Sequence, residues 1–192
     1  MKTAKFVTPA LLGLALALSG CTTLTSATHQ GPVQENYGER TFGSQVEDQS
    51  IETKIRHNLS HQDARFNDAR VNVDSYNGVV LLSGQVPSDE LKEKAMNIAK
   101  EVRNVRQVHN ELAVAANIPL AQRTNDTWVT ARIRTRLIGN ENIDAGRIRA
   151  VTENGSVYLM GLVTRAEGDR VVNAISDIGG VQRIVKVFEY LD

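Results

Sequence analysis

The residues whose types could do chemistry are few in this 192-residue chain, and their spacing argues against most catalytic uses. His57 and His61 stand four apart, so one helix face could present both imidazoles to a metal ion. The residues between them are Asn58, Leu59 and Ser60, without the glutamate that a zinc hydrolase helix needs as its base. The simpler expectation is two polar side chains at a helix C-terminus, where an imidazolium suits the helix dipole. His29 and His109 are isolated. Asp89, Glu90 and Glu93 fall where a helix begins, and carboxylates are favoured there by the same dipole. No serine lies in a nucleophile elbow. Gly179-Gly180 precedes a strand pattern, whereas a phosphate cradle needs its glycines to lead into a helix. No catalytic residue, metal site or cofactor is therefore expected. Trp128, Arg132 and Arg136 follow one another at i, i+4 and i+8, one stripe of a helix. An indole flanked by guanidinium groups suits a membrane interface, where the ring sits at headgroup level and the arginines pair with phosphates.

The single cysteine excludes an internal disulfide framework and any multi-cysteine zinc site. Its surroundings give it another role. Lys2 and Lys5 form a positive N-terminal region, and an apolar run from Phe6 to Leu18 follows. That run is shorter than the roughly 20 residues a membrane span requires, and it reads as a secretory signal. It ends in Leu18-Ser19-Gly20-Cys21, which resembles the lipobox of bacterial lipoproteins. The resemblance implies cleavage before Cys21, acylation of its thiol and stable membrane anchoring. Thr22, in place of an aspartate, implies export to the outer membrane. Residues 1–20 are thus expected to be a signal peptide. Residues 21–46, poor in large apolar side chains and without a visible period, are expected to be a flexible tether.

The elements that must position the tryptophan occur twice. Asp48 aligns with Asp126, Ile51 with Val129, Ile55-Arg56 with Ile133-Arg134 and Leu59 with Leu137. Further on, Asn77-Gly78 aligns with Asn154-Gly155, Gly84 with Gly161 and Val105 with Val181. A repeat this long means two small domains rather than a solenoid. In each copy a helical stripe (Ile51, Ile55, Leu59) leads to an alternating segment. Asn-Gly then stands before the apolar run Val79-Val80-Leu81-Leu82, a hairpin signal. A second helix follows, capped by Ser88 in copy one and by a Thr164–Glu167 capping box in copy two, and then a last strand. The expected order is αββαβ, an α+β fold with two helices over one face of a three-stranded sheet. The expected boundaries are 47–114 and 124–192, joined by a linker over 115–123. Asp126 or Thr127 is expected to cap a helix beginning at Trp128. Gly84 and Gly161 are expected to be structural, at a tight bend or a close helix approach.

This order, the Asn-Gly hairpin and the glycine after it resemble the BON domain. Two copies behind a lipobox are similar to the tandem BON-domain outer-membrane lipoproteins, and the likeness runs over essentially the whole chain. It implies phospholipid binding at the periplasmic face of the outer membrane, support of envelope integrity and association with division sites.

The two copies differ where it matters. The stripe Trp128, Arg132, Arg136 corresponds in copy one to Ser50, Lys54 and Asn58, without an aromatic. Residues 48–114 hold 9 basic and 10 acidic side chains, and 125–191 hold 9 and 8. With a formal net charge of zero, general nucleic-acid binding has no support. The expected partner is an anionic phospholipid membrane. The alternative is a periplasmic adaptor using the same surface to bind outer-membrane assembly proteins, or a Trp128 that plugs the interface between the copies.

Overall fold

The computed structural model describes residues 38–192, so the signal peptide, Cys21 and most of the tether lie outside the described residues. The first unit runs α1 (Phe42–Gln62), β1 (Arg70–Tyr76), β2 (Val79–Val86), α2 (Asp89–Lys100) and β3 (Gln107–Val114). The second repeats the order as α3 (Leu120–Ile138), β4 (Ile148–Glu153), β5 (Ser156–Val163), α4 (Arg165–Ile175) and β6 (Arg183–Tyr190). In each sheet the second strand is central, antiparallel to its hairpin partner and parallel to the last strand. The fold is α+β, as expected. Both hairpins turn through Asn-Gly with positive φ, at Asn77-Gly78 and Asn154-Gly155. Ser88 caps α2, and Thr164 with Glu167 forms a full capping box on α4.

Alternation along the central strands builds two kinds of core. Val80 and Leu82 face the helices and pack with Ile51, Ile55, Leu91, Ala95 and Ile98. Val157 and Leu159 do the same with Val129, Ile133, Val171 and Ile175. The intervening residues point the other way, and those of the two sheets meet. Tyr76, Val79 and Leu81 pack against Tyr158, Met160, Leu162 and Val187 in a third buried cluster. The result is four layers, helix–sheet–sheet–helix, rather than two separate sandwiches. The contact has an approximate two-fold character. Arg70 pairs with Glu153 across it, and Tyr76, the counterpart of Glu153, donates its hydroxyl to the carbonyl of Arg147, the counterpart of Arg70. Asn72 and Gln85 also donate to Glu153. Arg149 reaches back to Asp74 and Glu52, and Arg106 holds Glu189 at 2.6 Å.

Three sequence expectations are corrected. The tether does not extend to residue 46: Thr41 accepts from the N–H of Ser44 as N-cap, and α1 begins at Phe42. Arg40 is already packed, stacked 3.7 Å over the Tyr76 ring and paired with Asp48. The linker is likewise shorter than 115–123, because α3 begins at Leu120 behind Pro119. It is pinned by Gln85, which accepts from the N–H of Ile118, and by Asn117, which bridges Arg70 and Asp68. Finally, Asp126 does not cap a helix at Trp128; it is buried in the second turn of α3.

Candidate functional site

What Asp126 does instead decides how α3 is held. Its carboxylate accepts the backbone N–H groups of Asn154 and Gly155, at 2.8 and 3.0 Å. Asp48 does the same for Asn77 and Gly78, at 2.8 and 2.9 Å, and also accepts from Ser75 and Arg40. Each unit therefore ties its first helix to its hairpin turn through a buried carboxylate. Burial alone would raise the Asp48 pKa. The hydrogen bonds from Gly78, Ser75, Arg40 and Asn77 outweigh it and hold the group below the usual carboxylate range.

With Asp126, Val129, Ile133 and Leu137 turned inward, Trp128 is placed on the outer side of α3. It is 66% exposed and belongs to no buried cluster, so it does not plug the interface between the units. Arg132 and Arg136 are also exposed. The Arg136 guanidinium lies 3.3 Å from Asp177, an exposed pair that restrains it little. Among the described residues Arg132 has no carboxylate partner, and its guanidinium lies over the Gly179-Gly180 turn. That turn explains its own glycines. Gly180 has φ +98°, and a Cβ there would lie 2.7 Å from a Val129 methyl, so the close approach is to α3.

The helix as a whole is basic. α3 carries Arg123, Arg132, Arg134 and Arg136 against the buried Asp126. α1 carries Lys54 and Arg56 against Glu47, Asp48 and Glu52. Three of the four arginines lie in the last two turns of α3, where the helix dipole favours cations. In the first unit the matching stripe is Ser50, Lys54 and Asn58, with Ser50 and Asn58 only partly exposed.

Gly84 and Gly161 lie in the central strands β2 and β5. The backbone that crowds Gly84 is that of the neighbouring strand β1, and the backbone that crowds Gly161 is the end of the 3-10 turn Ala145–Arg147 that leads into β4. At Gly84, with φ +117°, a Cβ would collide with the carbonyl oxygen of Arg70. At Gly161 it would lie 2.6 Å from the carbonyl oxygen of Arg147. His57 and His61 stack at the end of α1 with ring centroids 3.8 Å apart. Among the described residues no helix is long and apolar enough to cross a membrane.

Residues 47–116 and 125–192 each match the BON domain. The chain is 36% identical over 183 residues to the outer membrane lipoprotein DolP of Haemophilus influenzae, covering 95% of this chain and 94% of that protein. It is 34% identical over 152 residues to a 21 kDa hemolysin of Actinobacillus pleuropneumoniae, covering 79% and 78%. It is 29% identical over 146 residues to the osmotically-inducible protein Y of Escherichia coli, covering 74% and 72%.

Proposed function

We infer the function from one premise: this chain belongs to the BON domain family, with two copies in tandem. On that premise we propose a non-enzymatic lipoprotein, held by an acylated Cys21 at the periplasmic face of the outer membrane. There the Trp128 surface of α3 binds anionic phospholipid, and the protein supports envelope integrity at division sites. The observation that carries this reading is the exposure of Trp128 on a helix whose arginines outnumber its acids, with Arg132 free of any carboxylate partner among the described residues. An indole at headgroup depth gains from partial apolar burial while its N–H stays solvated, and guanidinium groups beside it donate bidentate hydrogen bonds to phosphate oxygens. The lipobox resemblance and the name of the Haemophilus influenzae relative support the anchor and the membrane. An anchor also supplies a high local concentration, so a weak headgroup affinity suffices.

Two experiments test the reading. Trp128→Ala is expected to abolish co-sedimentation of the unacylated protein with anionic vesicles while leaving its fold intact, and retained binding contradicts the site. Cys21→Ser is expected to leave an unprocessed or soluble protein, and wild-type fractionation with the outer membrane contradicts the anchor.

A further inference from the structure

The two units treat their outer strand edges differently. β1 and β4 each pair with one strand only, so one side of each is an open edge. Counting from the two-residue Asn-Gly turns, alternate residues point their N–H and C=O groups outward. In β1 these are Val71, Val73 and Ser75, and in β4 they are Ile148, Ala150 and Thr152. An exposed edge is a template for another strand, and folded proteins commonly blunt it. The first unit does so with its own helix. Glu52 accepts from the N–H of Ser75 and Arg56 donates to the carbonyl of Val73, both at 2.9 Å. Arg149 donates to the carbonyl of Ser75. The counterparts of Glu52 and Arg56 on α3 are Thr130 and Arg134, and neither reaches the β4 backbone. Thr130 donates to the hydroxyl of Thr152 at 2.8 Å, and Arg134 is exposed without a partner among the described residues. Among those residues the outward N–H and C=O groups of Ala150 and Thr152 are also unpaired.

These groups open onto a furrow of about 680 Å³ between β1 and β4, with α3 as one wall and Arg56 on the other side. The charges along it are unequally committed. Asp74 is held by Arg149, Asp126 by the amides of Asn154 and Gly155, and Glu153 by Arg70, Asn72 and Gln85. Arg123 gives one N–H to the carbonyl of Ile118, and Arg134 gives none. The furrow therefore offers two guanidinium groups and no carboxylate without a partner. It is not the Trp128 surface. At about 100° per residue, Thr127, Thr130 and Arg134 lie on one side of the core stripe Val129, Ile133, Leu137. Trp128, Arg132 and Arg136 lie on the other side.

We propose that the furrow takes an extended acidic segment of another polypeptide, which adds to β4 as a strand and sets its carboxylates against Arg123 and Arg134. The unpaired main-chain groups of Ala150 and Thr152 supply the strand pairing, and the guanidinium groups supply the preference for acidic side chains. Arg123 and Arg134 stand about 16 Å apart along α3, which matches about five residues of extended chain. A small anion would use the arginines and leave the strand edge unpaired. The site is independent of the lipid-binding reading above and of its residues.

The probe is a fluorescent peptide of about ten residues, alternating Thr and Val with two Glu residues four apart, titrated with the unacylated protein. Two controls carry Lys in place of Glu, or N-methyl groups on alternate amides, which remove the strand donors. Anisotropy reports binding, and the amide resonances of Ala150 and Thr152 report its place. The expected result is saturable binding of the acidic peptide with shifts of both resonances, and no binding of either control. Arg134→Glu is expected to weaken it by about tenfold or more, and Trp128→Ala to leave it unchanged. No binding of the acidic peptide at millimolar concentration would overturn the proposal. Equal binding of the N-methylated peptide would overturn strand addition, since the arginines would then act alone as an anion site. Binding lost in Trp128→Ala and kept in Arg134→Glu would place the peptide on the other side of α3 and overturn it too. So would an Arg134→Glu variant that fails on anionic vesicles yet binds the peptide as the wild type does, since Arg134 would then belong to the lipid surface.

Discussion

At the scale of single residues, the account turns on side chains that the fold does not need. Trp128, Arg132 and Arg136 lie outside all three buried clusters, so changing them tests function without testing folding. Each arginine near an anionic surface is worth about 1 kcal/mol, and that contribution is screened over a Debye length of about 10 Å at 0.1 M salt. The double variant Arg132→Glu, Arg136→Glu is accordingly expected to weaken vesicle binding by at least tenfold at low salt and to flatten its salt dependence. A salt titration of vesicle co-sedimentation checks this. Unchanged binding with these charges reversed would favour a protein-docking surface over a lipid-binding one. The matching changes at Ser50 and Lys54 are expected to have little effect, because that stripe has no aromatic. Spacing set Trp128 beside the apolar series Val129, Ile133, Leu137 rather than on it, but left open a tryptophan plugging the interface between the copies; the fold decides for exposure.

At the scale of elements, two devices hold the site helix, and they differed in how legible they were. The Asn-Gly hairpins, the Thr164 capping box and the order αββαβ could be read directly, because each depends on a local residue pattern. The first two turns of α1 and α3 could not. Their inward position is taken by a buried aspartate, so the apolar period that marks a helix face begins only at Ile51 and Val129. The available signal was the alignment of Asp48 with Asp126 opposite two Asn-Gly turns that need acceptors for their N–H groups. Asp48→Asn leaves one of those N–H groups without a good acceptor, and the expected cost is about 1–3 kcal/mol by denaturant titration. The folded-state pKa of Asp48 is depressed. Its contribution is therefore fully present above the unfolded value of roughly 4 and is lost as the pH falls through the lower folded value. Asp48→Asn should thus remove part of the stability loss that sets in as the pH falls below about 5, and an unaltered acid profile contradicts the clamp. Gly161→Val places a branched side chain against the Arg147 carbonyl. It is expected to cost several kcal/mol, on the order of 3 or more, with loss of amide dispersion in the second unit. Native-like spectra and unchanged melting would contradict the close approach.

At the scale of the whole molecule, the two units share a core, and this was the least legible feature. A three-stranded sheet covered by helices on one face leaves the other face unassigned. The run Val79-Val80-Leu81-Leu82, apolar without alternation, was the sign that both faces are buried. Its partner surface, Tyr158, Met160 and Leu162, lies far away in sequence, and no local pattern links the two. The units are expected to unfold together, in one calorimetric transition. Glu153 is the test, because Arg70, Asn72 and Gln85 of the first unit all converge on its carboxylate. Glu153→Ala leaves those donors unpaired at a buried contact and is expected to cost about 2–3 kcal/mol, splitting or broadening the transition. A single transition at the wild-type temperature would contradict the shared core. Docking the sheets back to back turns both pairs of helices outward, so that α3 can present Trp128 to a membrane while its inner face stays packed. The most direct measurement of that arrangement is the emission of the sole tryptophan as the unacylated protein is titrated with vesicles of increasing anionic phospholipid content. The account predicts a blue shift that saturates, strengthens with anionic fraction and reverses with added salt. An emission maximum that stays at its solvent-exposed position across the titration would contradict it.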